Sequence, residues 1–372
     1  MKGLVIWAYS YCRSTLAFYK QLGQAFDVPL KVYVWKSGNA LREKTGFSDN
    51  EFGNEGVCFI EDNETFAVDA LLEHKECNHI FAVYQKSELH RRLIDLAIAN
   101  NIKFGIASEA PCNMERFPWR IAKHAYMSFV LPYKVRRVVD NADFIINFSG
   151  YYEKELRRLG WKSEKLISCG YYPPPIMGSK CVKRNSDNHE HFIILLTGIH
   201  QWHRSPMVLL KALNELSKKG ISYKCIITQE GPLLGKLKDY AAKNKLDVDF
   251  LGFVSLDRLV ELYETCSVYV GSGNNEPWGM RLNDALQCGA PLLVNRGMGG
   301  AKLVDDYGCG VAFNRGNFKE LASILENLIT DKRRYAEIAD RAFSAATKVS
   351  PQNKAYEMAE IISSQYSGWR KD

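Results

Sequence analysis

Polar and apolar positions follow a repeating rhythm: a short apolar run, then a longer stretch whose apolar residues recur every three or four positions. Residues 2–7 read as a strand, a helix follows near 14–26, and a second strand spans 30–35. Further strands fall at 79–84, 102–107 and 143–148, with helices at 87–100 and 151–159. Short strands alternating with amphipathic helices predict βαβ units and mostly parallel sheet.

The stretch 169–191 breaks the rhythm. Three prolines, Pro173, Pro174 and Pro175, are followed by polar residues without periodicity, the composition of an interdomain linker. A second βα series then starts, with strands at 192–196, 223–228, 248–251, 268–271 and 291–294. Its first helix has Ser205 as N-cap, Pro206 at the first helical position, an apolar stripe of Leu209, Ala212, Leu213 and Leu216, and Gly220 as its stop. Ala355, Met358, Ala359, Ile362 and Tyr366 give one more amphipathic helix. The expected architecture is α/β: a Rossmann-like domain over 1–172, a linker over 173–190, a second Rossmann-like domain over 191–350, and a C-terminal helix over 351–372 packing back on the first domain. The two domains would face each other across a cleft, with the ligand between them.

The length of 372 residues suits two domains, and with 46% apolar and 24% charged residues the chain can bury real cores. No apolar run reaches the ~18 residues of a spanning helix. The opening residues turn polar too early for a secretory signal and read as a first strand. Ten scattered cysteines without a C-x-x-C pair or Cys/His ligand spacing imply reduced core thiols in a cytoplasmic protein. The net charge of +7 is unevenly placed: residues 101–185 hold 15 Lys/Arg against 7 Asp/Glu, whereas 51–100 hold 4 against 10. A basic field of this kind suits anionic lipid or phosphate-bearing ligands. Within it, 119–137 sets Arg120, Lys123, His124, Lys134, Arg136 and Arg137 around Tyr126, Met127, Phe129, Val130 and Leu131. That segment is either a surface lying on anionic membrane or a core helix with a basic outer face, which Pro132 would end or kink.

The most informative stretch is Ser272 to Val294, SGNNEPWGMRLNDALQCGAPLLV. A strand ends at Gly271, a loop carries Glu276, and Pro277-Trp278-Gly279 leads into a helix from about Met280 to Cys288. The N–H groups of Gly279, Met280 and Arg281 at such a helix start suit a diphosphate, and Glu276 and Asp284 on either side suit sugar hydroxyls. The stretch resembles the E-x-F-G-x-x-x-x-E-A-M-x-x-G-x-P-V signature of the retaining nucleotide-sugar glycosyltransferases of family four, which have the GT-B fold. Glu276, Trp278, Gly279, Asp284, Ala285, Leu286, Gly289 and Pro291 match in order, with Asp in place of the second Glu. The resemblance implies that Glu276 contacts the donor sugar and Asp284 the nucleotide ribose.

Thr197 to Pro206, TGIHQWHRSP, is similar to that family's G-R-L-x-x-x-K-G loop, whose two basic residues hold the donor diphosphate. Gly198 matches, Arg204 replaces the Lys and Ser205 the second Gly, but Ile199 stands where the first cation belongs. His200 and His203 are the candidates to replace it. The turn ending in Glu230-Gly231-Pro232 matches a strand end, and Phe250 to Val254 matches the strand that precedes the base contact. There, Phe253 or Val254 either pairs with the base through its backbone or belongs to the core. In the first half the β1 loop, Tyr9-Ser10-Tyr11-Cys12-Arg13, lacks the family's glycine pair. Glu109 follows a strand and either orients an acceptor hydroxyl or closes a loop salt bridge. The acid-x-acid pair Asp247 and Asp249 reads as a strand start, not a metal site.

The resemblance implies a retaining transferase that moves a sugar from a nucleoside-diphosphate sugar to a glycan or lipid-linked acceptor in surface polysaccharide or glycolipid assembly, and the segment 119–137, if it lies on anionic lipid, would place the protein on the inner face of the membrane. It implies no cofactor, no metal and no nucleic acid. Arg204 and the helix start near Gly279 would stabilise the leaving diphosphate, and retention on the front face would require no protein base. The alternatives are a catalytically degenerate partner subunit that binds sugar nucleotide, and a GT-B nucleotide-sugar epimerase.

Overall fold

The computed structural model describes residues 1–10, 12–36, 56–60, 63–82, 84, 87–113, 115, 117–184 and 192–370. Tyr11 and the side chain of Arg13, both in the expected β1 loop, lie outside the described residues, as do 185–190 of the expected linker. Two units result: Met1–Pro174 with Ser350–Asp372, and Pro175–Val349.

In the first unit, β1 (Leu4–Ser10), β2 (Leu30–Lys36), β3 (Val57–Phe59), β4 (Asn78–Phe81), β5 (Phe104–Ser108), β6 (Ile145–Asn147) and β7 (Leu166–Ser168) form one parallel sheet in the order β3-β2-β1-β4-β5-β6-β7. Its central strands are buried on both faces, which is why they read as continuous apolar runs. The helix Pro351–Gln365 returns to this unit, packing Ala355, Met358, Ala359 and Ile362 against Leu16 and Leu22 of the helix Arg13–Phe26. Pro132 does not break the segment 119–141. The helix Trp119–Ala125 runs through a π turn, Tyr126–Val130, into the helix Leu131–Asn141, and Pro132 falls in the first turn of the last piece, directly after the π turn. Among the described residues no helix is long and apolar enough to cross a membrane.

Two histidines are locked neutral inside this unit. Trp7 Nε1 donates to His79 Nδ1 at 2.9 Å, and His79 Nε2 donates to the His74 carbonyl at 3.0 Å. Burial pushes both His79 and His90 down to about 4. Because both values lie below the unfolded one, the unfolded chain binds more protons, and stability falls as pH drops from about 6.5 toward 4. Each histidine then costs about 2 kcal/mol at pH 5. Urea titrations at pH 7 and pH 5 check this: the midpoint drops at the lower pH, and His79→Gln flattens the dependence. An equal fall in both proteins would remove His79 as the cause.

In the second unit, β8 (Ile193–Leu196), β9 (Lys224–Thr228), β10 (Val248–Gly252), β11 (Val268–Gly271), β12 (Leu292–Asn295) and β13 (Gly310–Phe313) form a parallel sheet in the order β10-β9-β8-β11-β12-β13. Leu209, Leu213 and Leu216 of the helix Met207–Lys218 pack on Ile194, Ile227 and Val268, as the apolar stripe predicts. Ser205 is not that helix's N-cap. It sits in the left-handed region at φ 46°, closing the single 3₁₀ turn Trp202–Arg204, and its hydroxyl donates to the Trp202 carbonyl at 3.2 Å. Residues 175–184, within the expected linker, pack into this unit. Arg184 is buried there, with Nε donating to the Cys266 carbonyl at 3.2 Å and the remaining nitrogens donating to the carbonyls of Val182, Tyr263 and Cys288.

Candidate active site

The strand order reverses direction between β8 and β11. In an open parallel sheet that point leaves a crevice at the carboxyl ends of the two strands, because their following loops run to opposite faces. The loop after β8 carries Gly198 to Ser205 and the loop after β11 carries Ser272 to Met280. They meet over a small, partly open cavity lined by Gly198, His200, Arg204, Glu276, Gly279 and Arg281 among others.

Arg204 and Glu276 are brought together as an ion pair, Nη1 to Oε1 at 3.1 Å, with Glu276 12% and Arg204 35% exposed. Backbone contacts fix both loops. The Ser272 hydroxyl donates to the Arg204 carbonyl at 2.7 Å, and Asn274 N donates to the His203 carbonyl at 2.7 Å. On the other side Glu276 N donates to the Gly297 carbonyl at 3.2 Å, and Gly299 N donates to the Glu276 carbonyl at 3.0 Å. The Gly297 to Gly300 turn therefore braces the acid's loop. A Cβ at Gly273 would come 2.6 Å from Glu276 Oε2, so any larger residue there would displace the acid's carboxylate.

Six of the expected site residues, Gly198, His200, Arg204, Glu276, Gly279 and Arg281, line the cavity. The others do not. Trp278 is fully buried, its indole N–H donating to Asn283 Oδ1 at 2.8 Å, so it anchors the loop to the helix Arg281–Gln287 and does not face a ligand. Met280 and Asp284 lie on the same short segment but off the cavity wall. Glu230 is exposed beyond β9, its carbonyl accepting from His200 N at 2.9 Å, while Phe253 is exposed and Val254 half-buried beyond β10. Glu109 belongs to the first unit, where the Tyr171 hydroxyl donates to it. Asp247 and Asp249 both pair with Lys224, at 2.7 and 3.1 Å. Among the described residues no group of three or more His, Cys, Asp or Glu side chains is placed to hold a metal.

Burial pushes His200 below its ordinary value, and burial together with Arg204 does the same to His203, so both are neutral at pH 7. Pattern reading also passed over Tyr269 and Tyr263. Both hydroxyls meet Thr197 Oγ1, at 3.0 and 3.2 Å, and burial pushes Tyr269 up to about 12. A tyrosine inside the apolar strand VYVG was the available signal, because a buried phenol needs a partner.

Residues 181–345 match the family model described as glycosyl transferases group 1. The architecture, two Rossmann-like parallel-sheet units, is that of the GT-B glycosyltransferases. The crystal structure of Anabaena Alr3699/HepE in complex with UDP superposes with a TM-score of 0.68 at 14% identity, covering 98% of this chain and all of that one. The apo lipopolysaccharide outer core galactosyltransferase WaaB superposes at 0.64 and 12% identity, with 98% and 100% covered. In sequence, the serotype-specific mannosyltransferase WbdA of Escherichia coli is 30% identical over 108 residues, which is 29% of this chain and only 13% of that protein.

Proposed function

We propose that the protein is a retaining glycosyltransferase that takes a sugar from a nucleoside-diphosphate donor and delivers it to a glycan or lipid-linked acceptor in surface polysaccharide or glycolipid assembly, without a metal ion. The observation that carries this reading is the Arg204–Glu276 pair at the β8–β11 reversal, a guanidinium and a carboxylate poised over one cavity. In this reading Arg204 takes the charge that develops on the leaving phosphate, and Glu276 accepts hydrogen bonds from the donor sugar. The protein supplies no base, and a donor phosphate oxygen takes the acceptor proton. The complexes of HepE with UDP and with UDP-glucose support the donor class. The names of WaaB and WbdA support transfer into a surface glycan. The test is to incubate the purified protein with UDP-glucose, UDP-galactose and GDP-mannose in EDTA and follow nucleoside diphosphate release with and without acceptor lipid. No release from any donor, with folding verified, rejects the reading.

The first unit supports membrane attachment in this scheme. The segment 119–141 rests on the core through Met127, Leu131, Val135 and Val138, so Met127 and Leu131 are not surface residues. Its outer side instead exposes Phe117, Trp119, Ile121, Phe129 and Tyr133, between 63% and 81% open, beside Arg120, Lys134 and Arg136. Exposed aromatics among cations suit the headgroup layer of an anionic bilayer. Sedimentation with phosphatidylglycerol vesicles checks it: Phe129→Ser with Tyr133→Ser lowers binding by about 30-fold, each ring contributing roughly 1 kcal/mol through its buried apolar area. Unchanged sedimentation of that variant removes this face from the contact.

A further inference from the structure

A second guanidinium, that of Arg281 at the start of the helix Arg281–Gln287, stands close to the β8 loop that lacks a cation at Ile199. Gly198 sits at φ +115°, and a Cβ placed on it would lie 3.3 Å from Arg204 Nη1 and 3.7 Å from Arg281 Nε. Two guanidiniums therefore bracket the same backbone point, and both line the cavity. Their circumstances differ. Arg204 is paired with Glu276, whereas Arg281 Nη1 is sealed from solvent and has no hydrogen-bond partner among the described residues. Burial works against the Arg281 charge and the Asp284 carboxylate near it favours that charge, so the guanidinium stays protonated. Thr197 links the two tyrosine hydroxyls and so fixes the wall against which the guanidinium rests. A buried cation with an unused donor is costly unless an anion meets it.

We propose that the Arg281 side chain is the second cation for the donor diphosphate, taking from the far side of Gly198 the place left open by Ile199. The inference rests on the donor reading given above. It assigns the charge to a side chain and not to the helix end, since the helix Arg281–Gln287 has only seven residues. Arg204, Arg281 and the carboxylate Glu276 line the cavity together, and an entering diphosphate brings negative charge that both guanidiniums can meet. Planar guanidiniums on two sides can each take a bidentate grip on phosphate oxygens, which fixes the diphosphate in orientation as well as in charge.

The test measures binding of UDP, GDP and ADP, and of uridine, guanosine and adenosine, by calorimetry on the full chain, together with the thermal shift produced by inorganic pyrophosphate. Arg281→Gln is expected to weaken the diphosphate that wild type binds by about 30-fold while its nucleoside changes less than about twofold, and to abolish the pyrophosphate shift. Arg281→Lys, which keeps the charge and loses the fork, is expected to weaken it by about fivefold. That conservative variant carries the test if the Gln variant does not fold. A folded variant that binds the diphosphate as wild type does overturns the inference and leaves the donor reading intact. Equal losses for nucleoside and diphosphate also overturn it, because they mark a structural role against Tyr263 and Tyr269. Wild-type protein that binds none of the diphosphates and gives no pyrophosphate shift rejects the donor reading and this inference together.

Discussion

Glu276→Gln is expected to lower sugar transfer by two to three orders of magnitude while tightening the binding of the sugar-free nucleoside diphosphate. The two effects run in opposite directions because Glu276 has two partners at different stages. Before a ligand enters, its Oε1 lies 3.1 Å from Arg204 Nη1 and neutralises the cation that the diphosphate needs. Once the donor is bound, the same carboxylate accepts hydroxyl hydrogens from the sugar, and those bonds strengthen as charge develops at the anomeric carbon. The amide keeps the shape but neither neutralises Arg204 nor accepts as strongly. Arg204 is about one-third exposed, so freeing it gains only a few-fold in diphosphate affinity. Steady-state transfer assays alongside calorimetry with the nucleoside diphosphate check both halves. Transfer retained at the wild-type rate removes Glu276 from the chemistry. Diphosphate binding that falls in parallel with transfer shows that the carboxylate supports the fold of the loop and does not compete for Arg204.

Sequence and structure agree where the information is contiguous. Leu4 to Ala8 of β1, Val32 to Val34 of β2 and Ile194 to Leu196 of β8 are apolar without interruption because neighbouring strands and helices cover both faces, and such runs are visible directly. β3, with three residues at the sheet edge, and the helix Glu64–Glu73 leave only a weak pattern, and both passed unread. The helices Phe318–Thr330 and Lys332–Ala346 are separated by Asp331 alone, which ends one and caps the other through its hydrogen bond from Arg334 N, so no loop composition marks the break. Within the site, Gly198, Arg204 and Glu276 were legible because each stands at a set distance along a loop. Trp278 occupies the expected position in the motif, yet its neighbours turn it into the core. The grouping of Thr197, Tyr263, Tyr269 and Arg281 could not be read along the chain, since four separate segments contribute one residue each and only the strand order β8–β11 joins them. The same holds for Arg184, a cation in a polar tract that ends up donating to backbone carbonyls from two other segments as well as its own.

Trp369→Ala is expected to destabilise the first unit by about 4 kcal/mol, in the range for emptying a buried large aromatic site. The residue follows the last helix in a short tract, SGWRKD, whose composition suggests a loose end. Its ring is nevertheless fully buried, set edge-on to Phe144 with centroids 4.6 Å apart and against Phe26 at 6.4 Å. The indole N–H donates to Asp143 Oδ2 at 2.7 Å, so truncation to Ala leaves a void and takes away that acceptor's donor. Neighbouring contacts hold the tract in place: Asn78 Nδ2 donates to the Gly368 carbonyl at 2.8 Å and the Tyr366 hydroxyl to the Glu164 carbonyl at 2.6 Å. Trp369 therefore ties the end of the helix Pro351–Gln365 to the ends of β4 and β6, elements nearly three hundred and more than two hundred residues away in sequence. Trp369→Phe separates the contributions. It keeps most of the apolar area and loses the hydrogen bond, so it should cost about 1–2 kcal/mol. Urea unfolding followed by the circular dichroism of the full chain reads both variants. A midpoint within experimental error of wild type for Trp369→Ala would mean that the tract is not part of the folded unit, and that the helix Pro351–Gln365 is held by its Ala355, Met358 and Ile362 face alone.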